Sequence, residues 1–241
     1  MNQEQELVNN VIAAHGGLDK WNQFCQITLH LNIGGATWKL KGHEGVLSDV
    51  MFKANLHQQQ ASYYPIFDME TKSDFTTNRV ALEKMDGTLL DELLDPRTSI
   101  LSHLTTAWSK LDTVYFGSYA AWNYFTAPFL FTLPGFITNE IESWEENGET
   151  WRRLEVIFPE NIATHNSRQI FYYDKKYQLK RHDYWADVFG KTPTAHYVFD
   201  YKEFSGIWMP TKRRVFSQDG NNGFKPDPIW IAIDVISADF E

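Results

Sequence analysis

The spacing of turns after residue 137 restricts this chain more than any other feature. From there on it reads as strand upon strand, over 137–145, 150–158, 168–174, 178–187, 195–204, 206–216 and 229–240. Several connections are very short: Glu146-Asn147-Gly148, Asp174-Lys175-Lys176-Tyr177 and Phe204-Ser205-Gly206. Parallel neighbours need a crossover of about a dozen residues or more, whereas two to four suffice for a hairpin. The second half of the chain therefore predicts an antiparallel meander and excludes alternating βαβ units.

The first half is mixed. Leu7, Val8, Val11 and Ile12 share one face of a helix over 4–14, which Gly16-Gly17 stops, and a short helical turn over 18–24 follows. Ile27, Leu29, Leu31 and Ile33 alternate with polar residues, which is strand spacing. Gly34-Gly35 is read as a turn that sends the chain back through a strand, ATWKLKG. Further strands are expected over 45–53, 56–64 and 79–85. Asp95-Pro96 has the form of a helix start, an acceptor followed by proline at the first helical position, with the helix ending near His103 or Leu104. A second helix is expected over 112–125, where Leu111, Val114, Tyr115, Tyr119, Trp122 and Phe125 share a face, and Pro128 ends it. No repeat and no low-complexity linker interrupts the pattern. The expectation is one domain over 1–241, with N-terminal helices within 1–26 and a helical segment over 95–136 inserted in the sheet.

Residues 113–139 carry no charge, and nine of these 27 residues are aromatic. A membrane span needs about 20 mostly apolar residues. This run contains Pro128 and Pro134, two glycines and several hydroxyl side chains, and it lacks flanking Lys/Arg clusters. It reads as a buried helix followed by an irregular apolar loop, with no stable membrane insertion.

The net charge is −9 and the basic runs are short and interleaved with acids, which argues against a nucleic-acid partner. One cysteine, Cys25, can form neither an internal disulfide nor a thiolate metal site by itself, and it reads as a small buried apolar residue. The N-terminal segment has no basic region ahead of a continuous apolar stretch, so the expected location is cytoplasmic.

Two hairpins carry a resemblance. IFYYDKKYQLKRHDY (170–184) contains Asp174, Leu179 and Arg181, and FDYKEFSGIWMPTKRRV (199–215) contains Asp200, Tyr201, Gly206 and Pro210. Together with the order of helix, hairpins, helical insertion and meander, these residues resemble the LolA/LppX-type lipoprotein carriers. The match covers roughly the last 100 residues by motif and the rest by pattern. The resemblance implies a mainly β, α+β fold: an antiparallel, unclosed half-barrel with an apolar concave face. In that family the concavity holds acyl chains and helices act as a lid. The segment 113–139 then has two readings, a cover over an apolar ligand or a plug that fills the barrel as core. In the first, Tyr119, Trp122, Phe125, Phe129 and Phe131 would touch the ligand.

Local signatures of catalysis are absent. The sequence has no HExxH, no calcium or zinc spacing, no GxSxG, no phosphate-binding loop and no dinucleotide fingerprint, so neither a metal nor a cofactor is implied. The densest polar cluster is the hairpin of 179–187 with 195–203. A turn centred near Lys191 would set His182 opposite Asp200, Tyr184 opposite Val198 and Ala186 opposite His196, all on one face. On the other face Arg181 would meet Tyr201, and Trp185 would meet Tyr197. If the His182 face is inward, Asp200 would orient a His182 acid/base, with Tyr184 or His196 as donor. If it faces outward, the pair is a surface salt bridge. Arg153, on the polar face of its strand, and His165, in the loop 161–167, are further candidates for ligand contact. His103 is expected to interact with helix carbonyls.

Three functions fit: a binding module for a hydrophobic or aromatic small molecule, a cofactor-independent isomerase, cyclase or hydrolase using His182 and Asp200, or a scaffold. Edge strands of an unclosed barrel allow a monomer or a homodimer.

Overall fold

The computed structural model describes residues 3–221 and 223–241. The helices are α1 (Gln3–Ala14), α2 (Leu18–Trp21), α3 (Ala36–Leu40), α4 (Pro96–Ser102) and α5 (Lys110–Thr126). The strands are β1 (Gln26–Gly34), β2 (Val50–Asn55), β3 (Gln60–Tyr64), β4 (Thr71–Thr76), β5 (Arg79–Lys84), β6 (Leu89–Leu94), β7 (Ile137–Glu146), β8 (Glu149–Ile157), β9 (Arg168–Tyr173), β10 (Leu179–Ala186), β11 (Thr192–Phe204), β12 (Ile207–Gln218), β13 (Phe224–Lys225) and β14 (Ile231–Phe240).

These strands form one antiparallel sheet in the order β6-β5-β4-β3-β2-β1-β14-β12-β11-β10-β9-β8-β7, with the short β13 beside β12. The chain starts in the middle of the sheet and meanders out to one edge at β6. It crosses through α4 and α5 to the other edge at β7, then meanders back until β14 pairs with β1. The edges β6 and β7 do not meet, so this is a mainly β, unclosed half-barrel.

A curved sheet that does not close must cover its concave face with something, and α5 does so. Every residue from Leu111 to Thr126 is buried. A helix apolar all round has no solvent face and belongs in a core. Its N-terminus is fixed by a capping box, with Asp112 N–H donating to Ser109 Oγ at 3.0 Å and Ser109 N–H to Asp112 Oδ2 at 3.0 Å. The buried Asp112 carboxylate also accepts from Ser99 Oγ and from His103 Nδ1. An anion at this end complements the helix dipole. On the far side Tyr63 Oη donates to Gly117 O at 3.1 Å, and Trp122 Nε1 donates to Asn55 O at 2.7 Å. The segment is thus packed as a plug. Tyr119, Trp122, Phe125, Phe129 and Phe131 are all buried in the continuous apolar core.

Several local expectations change. Residues 36–40 are α3 rather than a returning strand. Gly35, at φ +112°, places the following amides on the chain before β14: Ala36 N–H donates to Ile229 O and Thr37 N–H to Trp230 O. A Cβ on Gly35 would lie 2.4 Å from Trp230 O, so only glycine fits. Strands β4 and β6 join the predicted ones. Asp95 precedes α4, but its side chain makes no cap, and the terminal carbonyls of His103, Leu104 and Thr106 are taken by Lys41 Nζ at 2.9, 2.8 and 3.0 Å. His103 itself faces Asp112 and not helix carbonyls. Cys25 is exposed, contrary to the buried position expected, because it lies in the connection just ahead of the start of β1.

The plug assignment makes a direct prediction. Trp122→Ala should lower the unfolding free energy by about 3–5 kcal/mol, the cost of truncating a buried aromatic. Urea denaturation would measure it, and a loss below about 1 kcal/mol would mean that α5 is not part of the core.

Candidate ligand-binding site

α5 leaves one end of the concavity unfilled. There a hollow of about 360 Å³ opens, lined almost entirely by apolar groups. Its floor is the sheet, with Tyr184 and Ala186 of β10, Thr194 of β11, and Val215 and Ser217 of β12. Phe116 of α5 forms the inner wall, and Trp230 and Ile231 the side. The mouth is built from Thr37 and Leu40 of α3, Leu104 and Thr105 after α4, and Phe189 and Gly190 between β10 and β11. Lys41 secures this mouth. Besides holding the three carbonyls, its ammonium lies 5.0 Å from the Trp108 ring and 5.5 Å from that of Phe189.

His165 reaches the hollow because its loop is folded inward. Gln59 and Asn123 both donate to Ala163 O, at 2.8 and 3.0 Å, and Ala163 N–H returns a bond to Gln59 Oε1. Arg97 donates to Thr164 O and His165 O and pairs with Asp187 at 2.6 Å. The imidazole stacks on Tyr184 with centroids 4.0 Å apart and planes at 8°. Tyr124 Oη lies 2.6 Å from His165 Nε2 and 2.9 Å from Tyr184 Oη, so the three side chains form one hydrogen-bonded chain. Burial, with a smaller contribution from the Arg97 charge, holds His165 neutral, lowering its pKa to about 3. Such an imidazole offers a hydrogen bond and is a poor base near neutrality.

Behind this wall the polar groups continue. His182 Nε2–H donates to Gln169 Oε1 at 2.6 Å, and its ring stacks on Phe171. His196 is wholly buried, and neither ring nitrogen has a hydrogen-bond partner. Arg213 is buried too. One Nη donates to Tyr124 O at 2.7 Å, while its Nε has no partner. Desolvation depresses both imidazoles well below the usual histidine range, with positive neighbours adding to it.

The β10–β11 register differs from the expected one. Arg181 pairs with Tyr197, His182 with His196, Tyr184 with Thr194 and Trp185 with Pro193. The turn is tighter, since β11 begins at Thr192, ahead of Pro193, and every partner moves by four residues. An even displacement keeps each side chain on its face. His182, Tyr184 and His196 therefore share the inner face as expected, but Asp200 does not join them. Asp200 lies opposite Thr211 with the β11–β12 register unshifted on either side, at φ +56°, and its carboxylate is on the surface, 2.7 Å from Lys212 Nζ. His182 thus has Gln169, and no carboxylate, as its partner. Of the sequence candidates, only His165 and Tyr184 line the hollow. Arg153 lies on the opposite, convex face over Trp144 and Tyr172.

The sequence reading missed Arg181 and Asp183 as a pair. On the convex face Arg181 donates to both Asp183 oxygens, at 2.6 and 2.8 Å, and to Glu146 and Tyr197, beneath a layer of aromatic rings. It also missed Arg213 and the α3 mouth. Among the described residues no group of three or more His, Cys, Asp or Glu could hold a metal ion. No described helix is long and apolar enough to cross a membrane.

No family model and no curated protein matches the sequence. Solved structures do match in shape. A putative outer membrane lipoprotein-sorting protein domain from Vibrio parahaemolyticus superposes with a TM-score of 0.57 at 10% identity, covering 99% of this chain and 92% of that one. A LolA superfamily protein from Nitrosomonas europaea gives 0.59 at 9%, covering 99% and 93%. The chain has a LolA-like fold.

Four buried imidazoles (His15, His165, His182 and His196) are held neutral, with His15 lowered to about 4 by burial. The unfolded chain takes up these protons first as pH falls below about 6.5. Stability is therefore fully present above that pH and declines on acidification, by roughly 2 kcal/mol per histidine at pH 5. Urea midpoints measured between pH 7 and 5 should drop steeply, and a flat profile would contradict neutral burial.

Proposed function

We propose that the protein is a binding module for one small hydrophobic molecule, held at the unplugged end of the half-barrel. The observation that carries this reading is the apolar hollow of about 360 Å³. That volume falls within the range of ligand pockets, about 300–1,000 Å³. Taking about 30 Å³ per water-sized group, it accommodates roughly a dozen such groups. That suits a single chain or a one- or two-ring body.

The lining supports the same reading. Apolar walls supply the burial that drives binding, and His165 and Tyr184 supply a small polar spot that can orient a ligand. Hydrophobic cargo is also in keeping with the fold, since one protein of similar shape is described as a putative outer membrane lipoprotein-sorting domain. A catalytic role has less behind it. The His182–Asp200 pair on which it was to rest is not formed, and His165 is too weak a base for proton abstraction at neutral pH.

N-phenyl-1-naphthylamine, an uncharged probe that fluoresces in apolar surroundings, should bind saturably at one site. Thr194→Trp, which places an indole in the hollow, should weaken that binding at least about tenfold while the melting temperature stays within a few degrees. Failure of the unaltered protein to show saturable binding would overturn the proposal.

A further inference from the structure

Two buried donors next to the hollow have nothing to donate to. Arg213, 2% exposed, makes no ion pair among the described residues, and its Nε–H is unpartnered. A neutral imidazole carries one N–H, so His196 also holds either an unpaired donor or an unpaired acceptor on each nitrogen. The two lie on one face of adjacent strands: His196 pairs with Val215, two residues along β12 from Arg213. Both touch the Tyr124 ring, His196 edge-on with centroids 4.5 Å apart and Arg213 with Cζ 5.3 Å from the centroid. A buried charge without a partner is among the most costly things a fold can contain.

The convex side of the same sheet shows how this chain treats an arginine with a structural task. Arg181 is given Asp183, Glu146 and Tyr197. Arg213 is given one carbonyl and two aromatic faces, Tyr124 and Phe125. Its position is next to the proposed ligand site. Val215 lines the hollow, and Arg213 is two residues deeper, about 7 Å at strand spacing. A second void of about 20 Å³ is walled by Tyr124, whose ring Arg213 and His196 both touch, and by Ile233, which pairs with Arg213 across β12 and β14. Phe116 and Ile231 border both spaces.

We propose that the ligand is an organic monocarboxylate, with its apolar body in the hollow and its carboxylate beside Arg213 and His196. This rests on the binding role proposed above and specifies the chemistry of the ligand. The guanidinium supplies the charge and a planar pair of N–H donors, and the His196 N–H supplies a further donor. The surrounding aromatic rings exclude water, which strengthens the pairing.

Calorimetric titration with decanoic acid and with 1-decanol tests this. The two share a chain that fits the hollow and differ in the head group. The acid should bind about 10- to 100-fold more tightly, the range for hydrogen bonds to a charged group. In Arg213→Met the acid should lose that advantage while the alcohol's affinity stays within twofold. Arg213→Lys should retain part of it. Because Arg213→Met removes an unpaired buried charge, its melting temperature should equal or exceed that of the unaltered protein. Equal binding of acid and alcohol by the unaltered protein would overturn the carboxylate site and leave the hydrophobic pocket standing. Binding of neither would overturn both. A lower melting temperature in Arg213→Met with an unchanged acid-to-alcohol ratio would make Arg213 structural and overturn the proposal.

Discussion

The fold depends on the filling of a concave sheet that has no second sheet to pack on. An open antiparallel wrap with free edges at β6 and β7 exposes one apolar face along its whole length. α5 answers that with a helix buried on every side, held at its start by the Asp112 capping box. The chain topology serves the same end. Because β1 and β14 pair in the middle, the α4–α5 crossover is the only link between the two edges, and it must pass across the concavity. A charge-free stretch at the centre of the sequence is the direct consequence.

The helix is shorter than the trough it fills, and the remainder is the hollow. α5 runs for 17 residues, about 25 Å at 1.5 Å per residue. Beyond it, α3, the chain after α4 and the β10–β11 turn roof over the open end. Those pieces are joined by polar contacts, Lys41 on three carbonyls and Arg97 on the His165 loop and Asp187, and by ring contacts of Phe189 with Trp108 and Phe116. Such clamps hold a rim in place without filling the space beneath it.

How much of this was legible in the sequence depends on what kind of signal each part carries. The meander was readable because β7 to β12 and β14 have strong strand patterns and short turns. β4 was not, since its inward residues include Thr71 and Ser73, which give no hydrophobic alternation. β6 was not, because it is an exposed edge of leucines and acids. α3 was misread because five residues after a Gly-Gly pair look the same entering a strand or a helical turn. What decides between them is a distant contact, the amides of Ala36 and Thr37 on the segment before β14. The site suffered for the same reason. Its mouth is α3 and loops, and its polar spot depends on a loop drawn inward by Gln59, Asn123 and Arg97 from far along the chain. The inner face of the His182 hairpin was predicted correctly in spite of a wrong register, because a displacement of four preserves facing. The partner was lost, because pairing depends on where a turn closes, and β11 begins at Thr192, three residues ahead of the expected start.

The two buried arginines divide the sheet into a side built for stability and a side built for something else. Both are close to fully enclosed and both lie among aromatic rings. Desolvation alone would make each destabilising. On the convex face the carboxylates around Arg181 cancel that cost and lock β7, β10 and β11 together. On the concave face no anion cancels it: burial lowers the Arg213 pKa to about 10, and the adjacent imidazoles, held neutral, add no negative charge. A methionine would fill the same space at less cost. A chain that can supply a complete counter-ion set one layer away has no packing reason to omit it here. The omission makes sense if the missing negative charge arrives with the ligand.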